Sequence, residues 1–238
     1  MITVEKTHDK QKEDRRRPGT LYVVSTPIGN LGDITYRAVE VLKNVDVIAA
    51  EDTRRASILT RHYGIDTPRR SFHDYNAGKR IPEFADRLSN GEEVALISDA
   101  GTPGVSDPGY LLIKHCIDTG ITVVSIPGPT ALIAAFVVSG LPTERFVFEG
   151  FLPVKKGRKT RIKALADEAR TIVLYESPHR LRRTLSDLLE TLGDRKVTVA
   201  REMTKLYEEI YRTSLSDAVE RYRNKKPKGE FVLVLEGK

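Results

Sequence analysis

The chain has 238 residues, 39% of them hydrophobic, with 39 Lys+Arg against 33 Asp+Glu and a single cysteine. That length can build a full core in one or two domains, while one cysteine excludes an internal disulfide and any cysteine-based metal site. No apolar run reaches the roughly 18 residues of a membrane span and no signal-peptide core opens the chain, so a cytoplasmic protein without a membrane partner is expected. The mild basic bias suits a polyanionic partner such as RNA. Part of that bias sits in a polar start containing Lys10, Lys12, Arg15, Arg16 and Arg17, so residues 1–18 are expected to be a disordered basic tail.

Leu21–Val24 reads as a short buried strand, and Ser25 to Asp33 as the turn leaving it, with Asp33 as the N-cap of a helix whose apolar face carries Ile34, Ala38, Val41, Leu42 and Val45. Val45–Ala50 is the next strand, completing a β-α-β unit. A helix through Ile58 and Leu59 ends at Gly64, the chain near Phe72 is extended, and a helical pattern from Pro82 to Leu88 closes at Asn90-Gly91.

Val94–Ile97 then feeds Ser98-Asp99-Ala100-Gly101-Thr102-Pro103-Gly104-Val105-Ser106-Asp107-Pro108-Gly109. Glycines and prolines in this density forbid regular structure, and the carboxylates can bind backbone donors or a ligand. Asp107-Pro108 reads as an N-cap followed by proline at the first position of a helix through Leu112 and Cys116 to Gly120, where Cys116 is a small core residue. Strand Ile121–Ile126 runs into a second Gly/Pro turn, Pro127-Gly128-Pro129-Thr130, and an apolar helix from Ala131 to Val138. Strands alternating with helices predict a mostly parallel sheet, and the loops at 25–33, 98–109 and 127–130 leave its strands at the C-terminal ends, where ligands bind in such sheets.

Composition changes at the basic connector Phe151 to Lys159, which sets an expected boundary between domains 19–150 and 151–238. Beyond it the pattern predicts helices at 160–169, 178–192 and 215–222 and strands at 171–175, 197–200, 209–213 and 231–235. The chain therefore reads as two α/β domains. Neither the GxxxxGK[ST] loop nor the GxGxxG spacing is present, so ATP and dinucleotide readings lose support.

Ser25-Thr26-Pro27-Ile28-Gly29-Asn30-Leu31-Gly32-Asp33, Ala50-Glu51-Asp52-Thr53-Arg54, the loop 98–109, Ile126-Pro127-Gly128-Pro129-Thr130-Ala131, Tyr175-Glu176-Ser177-Pro178-His179-Arg180 and Arg201-Glu202-Met203-Thr204-Lys205 together resemble the ribosomal RNA small subunit methyltransferase I family of the tetrapyrrole methylase superfamily. The resemblance spans Gly19 to Gly237. It implies S-adenosylmethionine bound in a cleft between two α/β domains of the tetrapyrrole methylase type, a homodimer, and 2′-O-methylation of a cytidine ribose in the decoding region of 16S rRNA. It also implies that Pro27, Ile28, Asp99, Ala100, Gly101, Thr102, Thr130, Ala131, Tyr175 and Val232 line the cofactor. The loop 98–109 departs from the superfamily's shorter Gly-Asp-Pro pattern, and its length resembles the RNA-methylating branch.

The reaction calls for in-line geometry and a base for a poorly acidic hydroxyl, and for no metal. Asp52, Glu176 and Glu202 are the catalytic candidates, with His73 and His179 as further possible bases. Arg54, His73, Asn76, Arg180, Arg201 and Lys205 are candidates for RNA contact. Each also has a plainer reading: Asp52 as an acid at a helix start, the segment 73–76 as a cap, Ser177-Pro178 as an ordinary helix opening. A tetrapyrrole methylase and a non-enzymatic RNA-binding assembly factor are the competing functions.

Overall fold

The computed structural model describes residues 17–238, and the expected basic tail falls almost entirely outside them. The chain forms two compact units, one of residues 31–128 with the chain up to Pro27, the other of Pro129–Lys238 together with Ile28–Asn30. The changeover lies at Gly128–Pro129 and not at the expected 150/151 boundary. The reason is that the helix after Thr130 buries Ala135 and Phe136 in the second unit's core, among Val173, Val232 and Val234. A shift in composition marks where charge changes, whereas packing decides domain membership.

In the first unit the strands are β1 (Thr20–Val24), β2 (Val47–Ala50), β3 (Arg69–Ser71), β4 (Val94–Ile97) and β5 (Thr122–Ile126), ordered β3-β2-β4-β1-β5. All its ladders are parallel, as the alternation of elements predicts. Helices α1 (Tyr36–Asn44), α2 (Thr53–His62), α3 (Ala77–Ser89) and α4 (Tyr110–Asp118) cover it. The period-two alternation of the strands sorts the core into two layers. Ile48, Ala50, Ala95 and Ile97 face Leu42 of α1 and Leu59 of α2. Leu21, Ala49, Val94 and Leu96 face Phe84 of α3 and Leu112 and Cys116 of α4.

Two helix starts differ from the sequence reading. Asp33 belongs to a 3₁₀ turn, Leu31–Asp33, and the cap of α1 is Thr35, whose side chain accepts the Ala38 amide at 3.1 Å. Asp107-Pro108 does not open α4. Gly109 does, with φ 142°, because its bare Cα lies under Leu96: a Cβ there would sit 3.1 Å from Leu96 Cδ2. Helix α3 likewise begins at Ala77 and carries Pro82 within it, so the proline does not mark its start.

The second unit contains α5 (Ala131–Val137), β6 (Phe146–Phe151), α6 (Arg158–Ala164), β7 (Thr171–Glu176), α7 (Leu181–Leu192), β8 (Lys196–Arg201), β9 (Glu209–Ser214), α8 (Leu215–Tyr222) and β10 (Phe231–Leu235). Its sheet runs β6-β7-β10-β8-β9 and is mixed: β6 pairs parallel to β7, and the other ladders are antiparallel. The sequence reading omitted β6. It also started α7 at Pro178, where the structure has a turn in which Arg180 and Leu181 donate to the Ser177 carbonyl. One sheet face packs Leu174, Val199 and Leu233 under α6, α7 and α8, and the other packs Val173, Ala200, Val232 and Val234 against α5 and Ile28. Among the described residues no helix is long and apolar enough to cross a membrane.

Candidate functional site

In the first sheet β1 and β4 are neighbours, yet β1 leads to α1 on one face and β4 leads to α4 on the other. Adjacent strands whose connections diverge to opposite faces leave a crevice at their C-terminal ends, the usual ligand position in open α/β sheets. The loops after β1 and β4 meet there. Thr26 N–H donates to the Gly101 carbonyl at 2.8 Å and Gly101 N–H to the Thr26 carbonyl at 3.0 Å. Ser25 Oγ lies 2.8 Å from Thr102 Oγ1, and Ser25 N–H donates to the Ile126 carbonyl at 3.2 Å. Gly128 completes the arrangement, since a Cβ on it would approach Ser25 Cβ to 2.9 Å. The loops expected to hold the cofactor's methionine end are thus fastened to one another by backbone.

Asp99 ties this edge to the start of α2. Its Oδ1 accepts the Asp52 amide at 3.0 Å, its Oδ2 lies 3.3 Å from Arg55, and its own amide donates to Glu51 Oε2 at 3.2 Å. A carboxylate has about four acceptor positions, so each Asp99 oxygen keeps capacity for a ligand donor. One half-exposed carboxylate amid glycines, small residues and backbone amides is a donor set suited to a zwitterionic amino-acid moiety. Among the described residues no group of three or more His, Cys, Asp and Glu could hold a metal ion.

Asp52 is the N-cap of α2, accepting the Arg54 amide at 2.8 Å, and also clamps the Arg54 guanidinium at 2.6 Å. The Arg54 contacts hold its carboxyl well below the usual carboxylate range, which makes it a weak proton acceptor. Glu51 beside it behaves in the opposite way: burial pushes its carboxyl up, with the nearby Asp99 and Asp74 charges adding to the shift. The sequence reading passed over Glu51 as a base. The signal available to it was position, directly at the end of β2, a strand with no exposed residue. His73 and Asn76 close a turn after β3, with Asn76 Oδ1 accepting the His73 amide at 2.9 Å, while His73 Nδ1 is buried without a partner.

In the second unit Ile28, Ala131, Tyr175 and Val232 share one apolar cluster, and the Tyr175 hydroxyl accepts the Leu132 amide at 3.0 Å. Thr130 is the N-cap residue of α5. Glu176 is 2% exposed and fully engaged: Oε1 takes the Ser177 amide at 2.7 Å and Arg180 at 2.8 Å, and Oε2 takes the Thr184 hydroxyl at 2.5 Å. Thr184 in turn accepts from Arg158, itself 2% exposed and paired with Asp187 at 2.7 Å. This buried chain holds α6, α7 and β7 together, and it uses Arg180, which also donates to the Leu152 carbonyl at 2.9 Å. Glu202 sits at φ 50° after β8, an uncommon conformation for a residue with a side chain, and its Oε1 accepts Lys205 Nζ at 3.0 Å and the Glu230 amide at 2.9 Å. Arg201 donates to the Lys228 carbonyl at 2.7 Å, whereas Arg54 is mostly exposed.

Comparison with known proteins bears on the family and the fold. Residues 20–219 match the family model of Tetrapyrrole (Corrin/Porphyrin) Methylases. A Synechocystis protein named ribosomal RNA small subunit methyltransferase I is 54% identical over 92% of this chain and 79% of its own length. A protein of the same name from Thermotoga maritima is 51% identical over 92% of this chain and 99% of its own. Uroporphyrin-III C-methyl transferase from Thermus thermophilus, solved with S-adenyl homocysteine, superposes with TM-score 0.65 at 18% identity, covering 91% of this chain and 97% of that one. At that identity the likeness speaks for the fold. The chain belongs to the tetrapyrrole methylase family, and within it to the ribosomal RNA small subunit methyltransferase I family.

Proposed function

We propose that the protein methylates small-subunit ribosomal RNA, at the 2′-oxygen of a cytidine ribose in the decoding region of 16S rRNA. The observation that carries the reading is the identity of about half the residues, over nearly the whole chain, with relatives of that name. S-adenosylmethionine is the methyl donor; when bound, it supplies an electrophilic methyl carbon on a sulfonium. The family resemblance assigns Pro27, Ile28 and Asp99 to Thr102 to its methionine end, with Thr130 and Ala131 as further contacts, and the backbone near Tyr175 and Val232 to its adenosine. The fastened loops at Thr26 and Gly101 keep this surface preorganised, so little ordering is left for the moment of binding.

Among the acids, Glu51 is the better candidate for taking the ribose proton, because burial raises its basicity while Arg54 depresses that of Asp52. Glu176 serves the second unit's interior, and Glu202 with Lys205 shapes the turn after β8. Arg54, mostly exposed although paired with Asp52, is a candidate for a phosphate at that edge. The homodimer implied by the family resemblance belongs to the same reading, and light scattering tests it. The decisive experiment supplies the protein with labelled cofactor and small subunits assembled on unmodified transcript, then maps the product by nuclease digestion and mass spectrometry. A 2′-O-methylcytidine in the decoding region is expected; a base-methylated product, or transfer to a tetrapyrrole alone, would sink the assignment.

A further inference from the structure

The turn between α8 and β10, residues 223–230, frames an open pocket of about 230 Å³ lined by Arg201, Arg221, Lys225, Lys226 and Lys228, with Glu209 as the opposing carboxylate and Tyr222 at its apolar wall. Glu209 is already committed to Arg221, and Arg201 stands 3.9 Å from it. Lys225, Lys226 and Lys228 are exposed and form no ion pair among the described residues. The pocket therefore carries a clear excess of positive charge.

Tyr222 distinguishes this pocket from an ordinary basic surface. The residue is 5% exposed, packed edge-on against Phe231 in the core, and its hydroxyl has no hydrogen-bond partner. A buried hydroxyl left without a partner is costly to desolvate, so one at the wall of a cationic pocket is a donor waiting for an acceptor. Burial pushes the Tyr222 phenol up, which keeps the proton on it at neutral pH. Arg221 is held in place by stacking on the Tyr211 ring, 4.0 Å from its centroid. The wall is also braced: Glu202 N–H donates to the Glu230 carbonyl and Glu202 Oε1 accepts the Glu230 amide, each at 2.9 Å.

We infer that this pocket binds a backbone phosphate of the substrate RNA, with the Tyr222 hydroxyl and Arg221 as fixed donors and Lys225, Lys226 and Lys228 as neutralising charges. The choice of RNA over a free anion rests on the proposed function; the preference for a phosphate oxyanion rests on the pocket alone.

Two measurements on the full chain separate these. Inorganic phosphate titrated into protein with ¹³C-labelled tyrosine should shift the Tyr222 ring signal, and Lys225→Ala/Lys226→Ala/Lys228→Ala should abolish the shift. For a decoding-region RNA hairpin, the triple variant should bind at least tenfold more weakly and lower the slope of log affinity against log salt by about two. Its affinity for S-adenosylmethionine should be unchanged. Tyr222→Phe, which keeps the ring packing and removes the unpartnered hydroxyl, should weaken RNA binding several-fold while the free protein melts no lower than wild type. Unchanged RNA affinity and salt slope in the triple variant would overturn the inference, and a phosphate shift without an RNA effect would reassign the pocket to a free anion. Wild-type protein that binds RNA through these residues yet transfers no methyl group would instead refute the proposed function and leave the pocket standing.

Discussion

Thr26 and Gly101 exchange both of their backbone hydrogen bonds, at 2.8 and 3.0 Å, although neither lies in a strand of the sheet. This two-residue ladder joins the ends of the loops after β1 and β4, and Asp99 beside it reaches across to α2. Asp99→Ala should therefore do two things. It should weaken S-adenosylmethionine at least tenfold in calorimetry and also cost about 1–3 kcal/mol in urea unfolding, because the Asp52 amide and Arg55 lose their acceptor. Lost stability with intact affinity would make the residue purely a brace.

Gly128→Ala probes the same edge without touching charge. The added methyl would have to displace Ser25, whose hydroxyl meets Thr102. A cost of about 1–3 kcal/mol is expected, with weaker cofactor binding as the loops separate. An unchanged urea midpoint would show that the turn yields freely.

Glu176→Gln and Glu176→Leu test whether this carboxylate is structural. Removing one member of a buried charged network costs about 3–5 kcal/mol, since Arg180 would keep the Leu152 carbonyl but lose its carboxylate. Methyl transfer per folded molecule should be retained in the Gln variant. A stable variant with abolished turnover would restore Glu176 as a catalytic group.

Glu51 gives a pH signature. Its folded carboxyl is raised above the unfolded value, so its contribution to stability is fully present below the ordinary carboxylate range and is lost as pH rises through the raised value. Glu51→Gln should melt higher than wild type near pH 7, converge with it near pH 4, and lose most of its methyl transfer. Equal melting curves at both pH values would contradict the burial argument.

Cys116 should be silent. Burial pushes its thiol up to about 11, so a thiol-reactive dye at pH 8 should label it only after unfolding in urea. Rapid labelling of native protein would mean that α4 opens readily.

Most elements of the first sheet were legible because β1, β2, β4 and β5 are short runs rich in apolar residues and its helices carry wide apolar faces, whereas the polar Arg69–Ser71 of β3 showed only as extended chain near Phe72. What failed were choices between equivalent signals. Asp33 and Thr35 are both good caps, and only the 3₁₀ turn at 31–33 decides for Thr35. Asp107-Pro108 has the composition of a helix start, but the packing of Gly109 under Leu96 is a contact between distant positions. Strand β6 was invisible because all its residues are only partly buried, or exposed at Phe151, which removes the alternation that marks a strand. For the candidate site, the loops were readable from glycine and proline, whereas the contrast between Glu51 and Asp52 arises from burial and a guanidinium clamp that spacing does not encode. The anion pocket's key group, Tyr222, reads in sequence as one more apolar position on α8.

Ile28 lies in the loop after β1 but takes its place in the second unit's core beside Val173, Val232 and Val234. During synthesis it leaves the ribosome long before those partners exist. The second unit cannot finish its core from its own contiguous stretch, and a fragment cut at Gly128 would expose the apolar surface that Ile28 covers. That core is complete only once β10 has paired, and until then Ile28 lacks the apolar partners Val232 and Val234.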